Sequence, residues 1–347
     1  VCWKTKVEYH SVGLPVLIAC KGDDPGPLFI SHICHPKPGA HDNASGSIAN
    51  YVTAYILSRV GKEYDYSSCH VWVPEYTGTV FIYDKLPWKP LGVYNLDMVG
   101  SRQSITGSTL TLVNPPRYMD TYTASTLWIS IQKVFDQSKS FNNITQPSIR
   151  YGLTPYTIGS DHDIFISWGI DSSMLNEWPS KYYHTDMDEI DTLNPHNIGL
   201  TGLASALAGY LLTRTNKDKL LSLKKLYESI VRNWYSIQAY KNNFSLNFLN
   251  KYLIKKPIIT KTPEKPYLET PLSARKIREI IGKEKFKEIR EISGVATYLE
   301  LYAPLAEAIG LKDTIKHYRA ELMLSWSRKT ENIIREAWEI IKSTLKI

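Results

Sequence analysis

The stretch "GPLFISHICHPKPGAHDNASGSIANYVTAYILSRVG", residues 26–61, contains the pattern from which the fold is predicted. It opens with a short apolar run without alternation, which is typical of a strand buried on both faces. A helix is predicted behind it, ending at Gly61. The apolar positions of that helix are spaced by three or four residues: Ile48, Val52, Tyr55 and Ile56. Residues 31–46, between strand and helix, hold three His, one Cys and one Asp, all side chains that can bind a metal.

The same alternation of buried strands and amphipathic helices continues through the first 215 residues. Further strands are predicted in "SCHVWVPE", "LGVYNLDMVG", "TLTLVN" and "DSSMLNE", and further helices in "YTASTLWISIQKVF" and "PHNIGLTGLASALAGYLLTRT". This order is typical of an α/β fold, in which helices cover both faces of one sheet.

A shift in composition places a domain boundary at residue 215. Residues 216–347 carry 26 Lys and Arg against 15 Asp and Glu, whereas residues 1–215 have a net charge of −4. We expect residues 1–215 to form a catalytic domain and residues 216–347 a basic all-helical domain, with a Pro- and Lys-rich linker at about 255–271. Helices are predicted at 217–240, 273–292, 296–309, 312–323 and 327–346.

The basic helical part carries charges that alternate in sign, which favours a solvated helical face over a nucleic-acid surface. Its apolar stripes predict a cover for the active site or a homo-oligomer contact. No apolar run reaches the roughly 18 residues that a membrane span needs, and we expect no signal peptide. Four Cys are too few for a disulfide scaffold, so we expect reduced thiols and a cytoplasmic protein.

Polar side chains follow four separate segments at positions where the predicted strands end. These residues are His32, Cys34 and His35, Asp42, Glu75, Asp97 and His184. In an open α/β sheet, ligands bind at the carboxyl ends of the strands. Taken singly, Asp42 could cap its helix, Glu75 could be a turn residue and His184 a structural histidine. Asp97 is harder to explain that way, because a buried carboxylate is costly unless it is paired or metal-bound. The combination predicts a zinc site with nitrogen and oxygen ligands.

Five motifs together resemble the M28-type co-catalytic zinc aminopeptidases, in particular an aminopeptidase-like branch of that family. They are "SHICHPKPGAHDNASG", "PEYTG", "NLDMVG", "GSDHDIF" and "WPSKYYHTDMDEIDTL", and they occur in the family's order over about residues 25–214. The resemblance implies a phosphorylase/hydrolase-like fold, with a mixed, mostly parallel sheet sandwiched by helices. It implies nothing about residues 216–347.

The resemblance also implies a role for each of the strand-end residues. His32 matches a terminal His ligand, Asp42 the carboxylate that bridges two metals, and Asp97 a terminal carboxylate ligand. His184 matches the His ligand of the other metal, and Glu75 the general base.

This sequence departs from the family's pattern at two positions. Cys34 replaces the Asp that orients the first His from behind, and Tyr76 replaces a carboxylate ligand that directly follows the base. We therefore expect one or two Zn²⁺ ions, with His35 as an alternative ligand or partner.

A substrate pocket is predicted from two groups of residues beside the ligands. They are Ser160, Asp161 and His162 of "GSDHDIF", and the aromatic cluster Trp178, Tyr182 and Tyr183. The expected function is a zinc-dependent aminopeptidase that hydrolyses short peptides. Two alternatives remain: a single-zinc hydrolase or cyclase (carboxypeptidase, amidohydrolase or glutaminyl-cyclase-like), and a metal-poor relative that binds peptides or partners.

Overall fold

A computed structural model gives the fold of the chain. It describes residues 13–60, 66–137, 149–253, 257–259, 278–280, 282–290, 299–324 and 328–345. One seven-stranded sheet forms the centre of the molecule. Its strands, in chain order, are β1 Leu17–Lys21, β2 Pro27–His32, β3 Ser68–Val73, β4 Gly92–Asp97, β5 Thr109–Val113, β6 Tyr151–Thr154 and β7 Ser172–Trp178.

The sheet has the order β1-β3-β2-β4-β7-β5-β6. The central strands β3, β2, β4 and β7 run parallel, and β5 is parallel to β6. Among these seven strands, β1 against β3 and β5 against β7 pair antiparallel. The predicted α/β class with a mixed, mostly parallel sheet is thus confirmed. The parallel centre matters for the site, because the ends of β3, β2, β4 and β7 all meet at one edge.

The helices of the first part cover both faces of this sheet. They are α1 Gly46–Val60, α2 Gln103–Thr106, α3 Thr123–Phe135, α4 His162–Ser167 and α5 Pro195–Arg214. One face packs against α1, α3 and α5 through a hydrophobic cluster that includes Phe29 and Tyr94. On the opposite face, Leu28 and Ile30 belong to a second cluster that takes in Phe165 from α4. The strand β2 is buried on both sides, as its continuous apolar run predicted.

The predicted apolar face of α1 is wrong at two of its four positions. Ile48 and Tyr55 are about half exposed, whereas Ile56 is partly buried against the core, and the helix buries a face of mostly small and polar residues. That face consists of Gly46, Ala49, Asn50, Thr53 and Leu57. Asn50 donates hydrogen bonds to the Phe29 and Val71 carbonyls, and Thr53 donates to the Gly202 carbonyl of α5. Small polar side chains therefore allow α1 to lie close to both the sheet and α5.

The expectation of reduced thiols is wrong for two of the four cysteines. Cys20 of the edge strand β1 forms a disulfide with Cys69 of β3. The two residues face each other directly in the antiparallel register. Spacing alone gave no sign of this pair, because 49 residues separate them and only the pairing of β1 with β3 brings them together. Cys34 is a free thiol.

Residues after 216 are helical wherever the structure describes them in regular elements. The helices are α6 Lys217–Lys241, α7 Leu246–Tyr252, α8 Lys283–Arg290, α9 Ala303–Ile309, α10 Leu311–Glu321 and α11 Arg328–Leu345. Most of the predicted linker at 255–271 lies outside the described residues. Among the described helices, none combines the length and the apolar character that a bilayer crossing requires.

The helical part packs directly on the first part. Tyr227, Val231 and Tyr235 of α6 belong to the same hydrophobic cluster as Phe29 of the sheet. A further cluster joins Tyr118 and Tyr156 of the first part to side chains from residues 301–338. The division at residue 215 stays a prediction.

Candidate active site

The strand ends bring the predicted ligands together at one edge of the sheet. His32 is the last residue of β2, and Asp97 is the last residue of the neighbouring strand β4. Asp42 lies in a distorted helical turn, Ala40–Ser45, that leads into α1. Glu75 follows β3 by two residues, and His184 lies in the loop that follows β7. All five line one cavity of about 370 Å³.

The first group of ligand atoms is buried and is centred on His32. Its Nε2 lies 3.1 Å from Asp42 Oδ1 and 3.3 Å from Asp97 Oδ1. The other ring nitrogen, Nδ1, lies 3.1 Å from the carbonyl oxygen of Cys34. A carbonyl can only accept, so Nδ1 carries a proton and Nε2 is the atom turned toward the carboxylates. A backbone carbonyl thus orients His32, as is usual for a metal-binding histidine.

A second group uses the other oxygen of the same carboxylate. Asp42 Oδ2 lies 3.2 Å from His184 Nε2 and 3.3 Å from His35 Nε2. His35, which the sequence offered as an alternative to His32, therefore belongs to a separate group. In each group the ligand atoms lie within 4.8 Å of one another. Asp42 is shared, as the predicted bridging role requires.

The charges around His32 favour a positive charge between the members of the first group. Burial alone would lower the pKa of His32, but hydrogen bonds to Asp42 and Asp97 and the charges of Asp97 and Glu75 raise it to about 12. Burial likewise acts to raise the pKa of Asp42, but the hydrogen bond and charge of His32 bring it below its ordinary value. A proton or a cation can supply this charge.

The residues present fit a divalent metal. Among the described residues, no donor makes a well-directed hydrogen bond to the buried Oδ1 of Asp97. Imidazole nitrogen and carboxylate oxygen are ligands that suit zinc. An ion among His32, Asp42 and Asp97 would bind this buried oxygen, whose nearest described partner is His32 Nε2 at 3.3 Å.

Glu75 is a partly buried acid beside the ligands. Burial raises its pKa to about 8, and the negative charge of Asp97 acts in the same direction, partly offset by His32. Its backbone N–H donates to the Cys34 thiol, with a distance of 3.0 Å to Sγ. The thiol therefore contacts Glu75, whereas the carbonyl of Cys34 orients His32. A carboxyl group with a pKa near neutrality can both accept and donate a proton.

Tyr76, at the position of the expected carboxylate ligand, is held away from the ligand groups. Its hydroxyl donates to Asp163 Oδ2 at 2.5 Å, and its N–H donates to Asp161 Oδ1 at 2.8 Å. Asp163 also accepts hydrogen bonds from the Tyr156 hydroxyl and the Gly159 N–H. Tyr76 thus anchors the turn after Glu75, and it does not line the cavity.

Left-handed backbone conformations mark the edge of the site. Tyr76 has φ = 54°, and Met98 and His184 both have φ = 55°. These three residues are, in order, the neighbour of the acid Glu75, the neighbour of the ligand Asp97, and a ligand. Such conformations are uncommon for non-glycine residues and cluster where side chains must be aimed at a site.

Sequence reasoning missed the residues that hold the ligand turn in place. Asp188 accepts hydrogen bonds from the N–H groups of His41 and Asp42, at 2.8 and 2.9 Å. The side chain of Asn43 bridges the turn to β4, donating to the Leu96 carbonyl and accepting from the Met98 N–H. Asp188 lies 146 residues from Asp42, and "DMDEIDTL" offers several acids, so no local signal distinguishes it.

Glu177 was missed as well. It is fully buried in β7 and accepts from the N–H groups of Gly100 and Ser101 and from the Ser101 and Ser108 hydroxyls. It thereby fixes the turn that follows Asp97. The only sequence signal is an acid in an apolar strand, the same signal that singled out Asp97.

The predicted pocket residues divide into two sets. Trp178 and Tyr183 line the cavity, together with Val113, Ile158 and Met174. Four other predicted pocket residues do not line the cavity as the structure describes it: Ser160, Asp161, His162 and Tyr182.

The buried motif lies behind the cavity wall. Ser160 accepts a hydrogen bond from Asn95 of β4, and Asp161 holds Tyr76. His162 Nε2 lies 2.9 Å from the carbonyl oxygen of Thr157, a lining residue. These three side chains therefore support the wall, and the contact with substrate that the sequence predicted for them stays a prediction.

Comparison with known proteins gives one family match. Residues 87–208 match the model of peptidase family M28. No curated protein matches the sequence.

Solved structures similar to this chain include both peptidases and a cyclase. An aminopeptidase from Aneurinibacillus sp. strain AM-1 is 19% identical, with 57% of this chain and 47% of that chain covered and a TM-score of 0.43. A zinc aminopeptidase from Bacillus subtilis is 22% identical, with 59% and 51% covered and a TM-score of 0.44. Fimbriiglobus ruber glutaminyl cyclase is 16% identical, with 56% and 74% covered and a TM-score of 0.41. The matched region spans about half the length of the two aminopeptidases.

Proposed function

We propose that this chain, which carries a peptidase family M28 segment over residues 87–208, is a zinc-dependent aminopeptidase acting on short peptides. The observation that carries the proposal is Glu75. This partly buried acid has a pKa raised to about 8, and it shares one cavity with both groups of ligand atoms. General acid–base work on a peptide bond needs an acid so placed.

His32, Asp42 and Asp97 would hold the ion, with His184 and His35 on the far side of Asp42. When bound, zinc supplies Lewis acidity that polarises a carbonyl and makes water more acidic. Glu75 accepts the proton of the attacking water and passes it to the leaving amine. Two hydrogen bonds hold Glu75 in place during both proton transfers. Its own N–H donates to the Cys34 thiol, and the hydroxyl of the neighbouring Tyr76 donates to Asp163.

The cavity favours the end of a peptide over the middle of a polypeptide. A volume of about 370 Å³ lies at the lower end of the roughly 300–1,000 Å³ that is typical of small-molecule pockets. Asp42 and Asp97 put two carboxylates on its wall, where a free α-ammonium group finds counter-charges. Val113, Ile158, Met174 and Trp178 offer apolar surface for the first side chain.

Substitution of the acid tests the proposal directly. We expect Glu75→Gln to reduce turnover of a leucyl amide by about 10²–10⁴-fold, because amide nitrogen cannot shuttle the proton. Zinc content should stay unchanged. Glu307→Gln, which alters an exposed glutamate of α9, is the matched control. Loss of zinc in Glu75→Gln would make Glu75 a ligand and would contradict its role as base, and unchanged turnover would contradict the proposal.

A single-zinc cyclase or hydrolase is the second candidate. The observation in its favour is Tyr76, which occupies the position of a carboxylate ligand and is bound to Asp163 instead. A peptide with N-terminal glutamine separates the two functions. The aminopeptidase releases free glutamine from it, whereas a cyclase releases ammonia and leaves the peptide bond intact. A peptide with a blocked N-terminus should resist the aminopeptidase and is cleaved by an endopeptidase or carboxypeptidase.

A further inference from the structure

We infer that His35 takes the place of the carboxylate absent at Tyr76 and completes, with His184 and Asp42 Oδ2, the site of a second cation. This inference rests on the proposed function, because it takes the cluster around His32 to be a metal centre. It concerns a different set of atoms and can be tested without measuring turnover.

The positions of the side chains indicate a shared carboxylate with two separate groups of donors. Asp42 directs Oδ1 toward His32 at 3.1 Å and Oδ2 toward His184 and His35 at 3.2 and 3.3 Å. The rings of His35 and His184 meet edge to face, with their centroids 5.3 Å apart. Two imidazole Nε2 atoms thus converge on one carboxylate oxygen from different directions.

The hydrogen bond of His35 prepares it for a ligand role. Its Nδ1 lies 3.0 Å from the carbonyl oxygen of Lys37, so Nδ1 carries the proton and Nε2 has the free lone pair. His32 shows the same arrangement with the carbonyl of Cys34. His32 ends β2 and His35 lies in the turn that follows, and each ring is oriented by a carbonyl two residues further along the chain. Such a partner on the second nitrogen is the usual support of a metal-bound histidine.

Tyr76 leaves the second group without a carboxylate of its own. The Asp163 side chain accepts three hydrogen bonds, from the Tyr76 and Tyr156 hydroxyls and the Gly159 N–H. This network fixes Tyr76 away from the cavity. His35 lies on the opposite side of Asp42 from His32, where it can supply a third donor without any rearrangement of that network.

Exchange of a carboxylate for an imidazole has a consequence for metal binding. The first group has two carboxylates, whereas the second has two imidazoles and only a share of Asp42. The second group is also more exposed, since 56% of the His184 side chain is accessible against 3% for His32. We therefore expect the second cation to bind more weakly, to exchange faster, and to favour zinc or cobalt over magnesium or manganese.

The test is a titration of chelator-stripped protein with Zn²⁺ against a chromophoric competitor. The wild type should bind two equivalents with unequal affinities. His35→Ala should weaken the second equivalent by more than about 100-fold, because loss of a ligand exceeds the 10–100-fold effect of losing a ligand's supporting partner. The first equivalent should keep its affinity. His196→Ala, which alters an exposed histidine at the start of α5, is the matched control and should retain both.

Two further samples keep the test decisive if His35→Ala folds poorly. His35→Glu places a carboxylate in the second group and should restore two equivalents. Anomalous scattering from zinc-soaked wild-type crystals should place an ion between His35 and His184. The inference is overturned if His35→Ala binds both equivalents as the wild type does, if the wild type binds one, or if the second ion lies elsewhere.

Failure of this inference is distinguishable from failure of the proposed function. Two equivalents bound without turnover of any peptide would contradict the aminopeptidase and leave the second cation site intact. Turnover with one equivalent, unaffected by His35→Ala, would contradict the second site and leave the aminopeptidase intact.

Discussion

Cys34 shows how one residue can serve a ligand and an acid at the same time. Its carbonyl orients His32, and its thiol accepts the N–H of Glu75. We expect Cys34→Ala to lower kcat by about tenfold, because the Glu75 N–H loses its partner and the acid is held less firmly. Zinc content should not change, since the carbonyl remains.

Cys34→Ser is the matched variant, because a hydroxyl can still accept that hydrogen bond. It should keep more activity than Cys34→Ala. The measurement is kcat for a leucyl amide together with zinc content by elemental mass spectrometry. Loss of zinc in Cys34→Ala would show that the thiol, and not the carbonyl, orients His32.

The sequence predicted which side chains would meet, but it did not predict how they would be held. His32, Asp42, Glu75, Asp97 and His184 share one cavity, because each lies at or after the end of a strand, and these parallel strands end at the same edge of the sheet. The contacts that fix their orientation are made by backbone carbonyls or by distant acids. These depend on turn geometry and on long-range packing, which no local pattern encodes.

At the scale of the element, β3 and α1 meet through a buried histidine. His70 Nδ1 lies 2.9 Å from Asn50 Oδ1 of α1, and its Nε2 lies 3.3 Å from the Ser68 hydroxyl. Burial lowers the pKa of His70 from 6.5 to about 3. The folded chain therefore keeps His70 neutral over a range of pH in which the unfolded chain protonates it.

Because of this difference, the free energy of unfolding should decrease as the pH is lowered. Between pH 6.5 and pH 3 the unfolded state binds a proton that folded His70 does not, so acid favours unfolding. From pH 7 to pH 5 we expect His70 to account for a loss of about 2 kcal/mol in the free energy of unfolding. Above pH 6.5 the histidine is neutral in both states and contributes no pH dependence.

Urea unfolding of chelator-stripped wild type and His70→Gln at both pH values measures the effect. The metal-free state keeps the ligands alike in both proteins, so that their titration cancels in the difference. The variant should lose about 2 kcal/mol less than the wild type on acidification. An equal loss in both proteins would contradict the assignment to His70.

A strand or helix was easier to predict from the sequence where its buried residues form a continuous apolar run. It was harder to predict where the buried face is polar. The apolar run in β2 predicted a strand directly, because both faces of this strand are buried. The buried face of α1 did not follow the apolar pattern, since Asn50 and Thr53 make hydrogen bonds across the interface. The disulfide between Cys20 and Cys69 depends on strand pairing across 49 residues, which spacing does not reveal.

At the scale of the whole molecule, α6 completes a core that begins in the sheet. Tyr227, Val231 and Tyr235 are each at most 2% exposed and share a cluster with Phe29 and Tyr94. Burial of one such large side chain is worth about 1.5–3 kcal/mol. Three of them amount to a large part of the roughly 5–15 kcal/mol that stabilises a typical domain.

Truncation after Thr215 should therefore destabilise the first part. We expect the fragment of residues 1–215 to lack a sharp thermal transition by circular dichroism, under conditions in which the full chain unfolds cooperatively. A monomeric fragment that unfolds sharply within a few degrees of the full chain would support an independent catalytic domain instead. The predicted oligomer through the helical part is a separate matter, which light scattering on the full chain tests.

Metal content and leucyl-amide turnover, measured on the same chelator-stripped and zinc-titrated sample, test the central claim most directly. We predict that turnover is absent without zinc, appears as zinc binds, and is lost in Glu75→Gln while the zinc remains. Protein that binds no zinc, or that binds zinc and leaves both the leucyl amide and free-amine peptides intact, would contradict a zinc-dependent aminopeptidase.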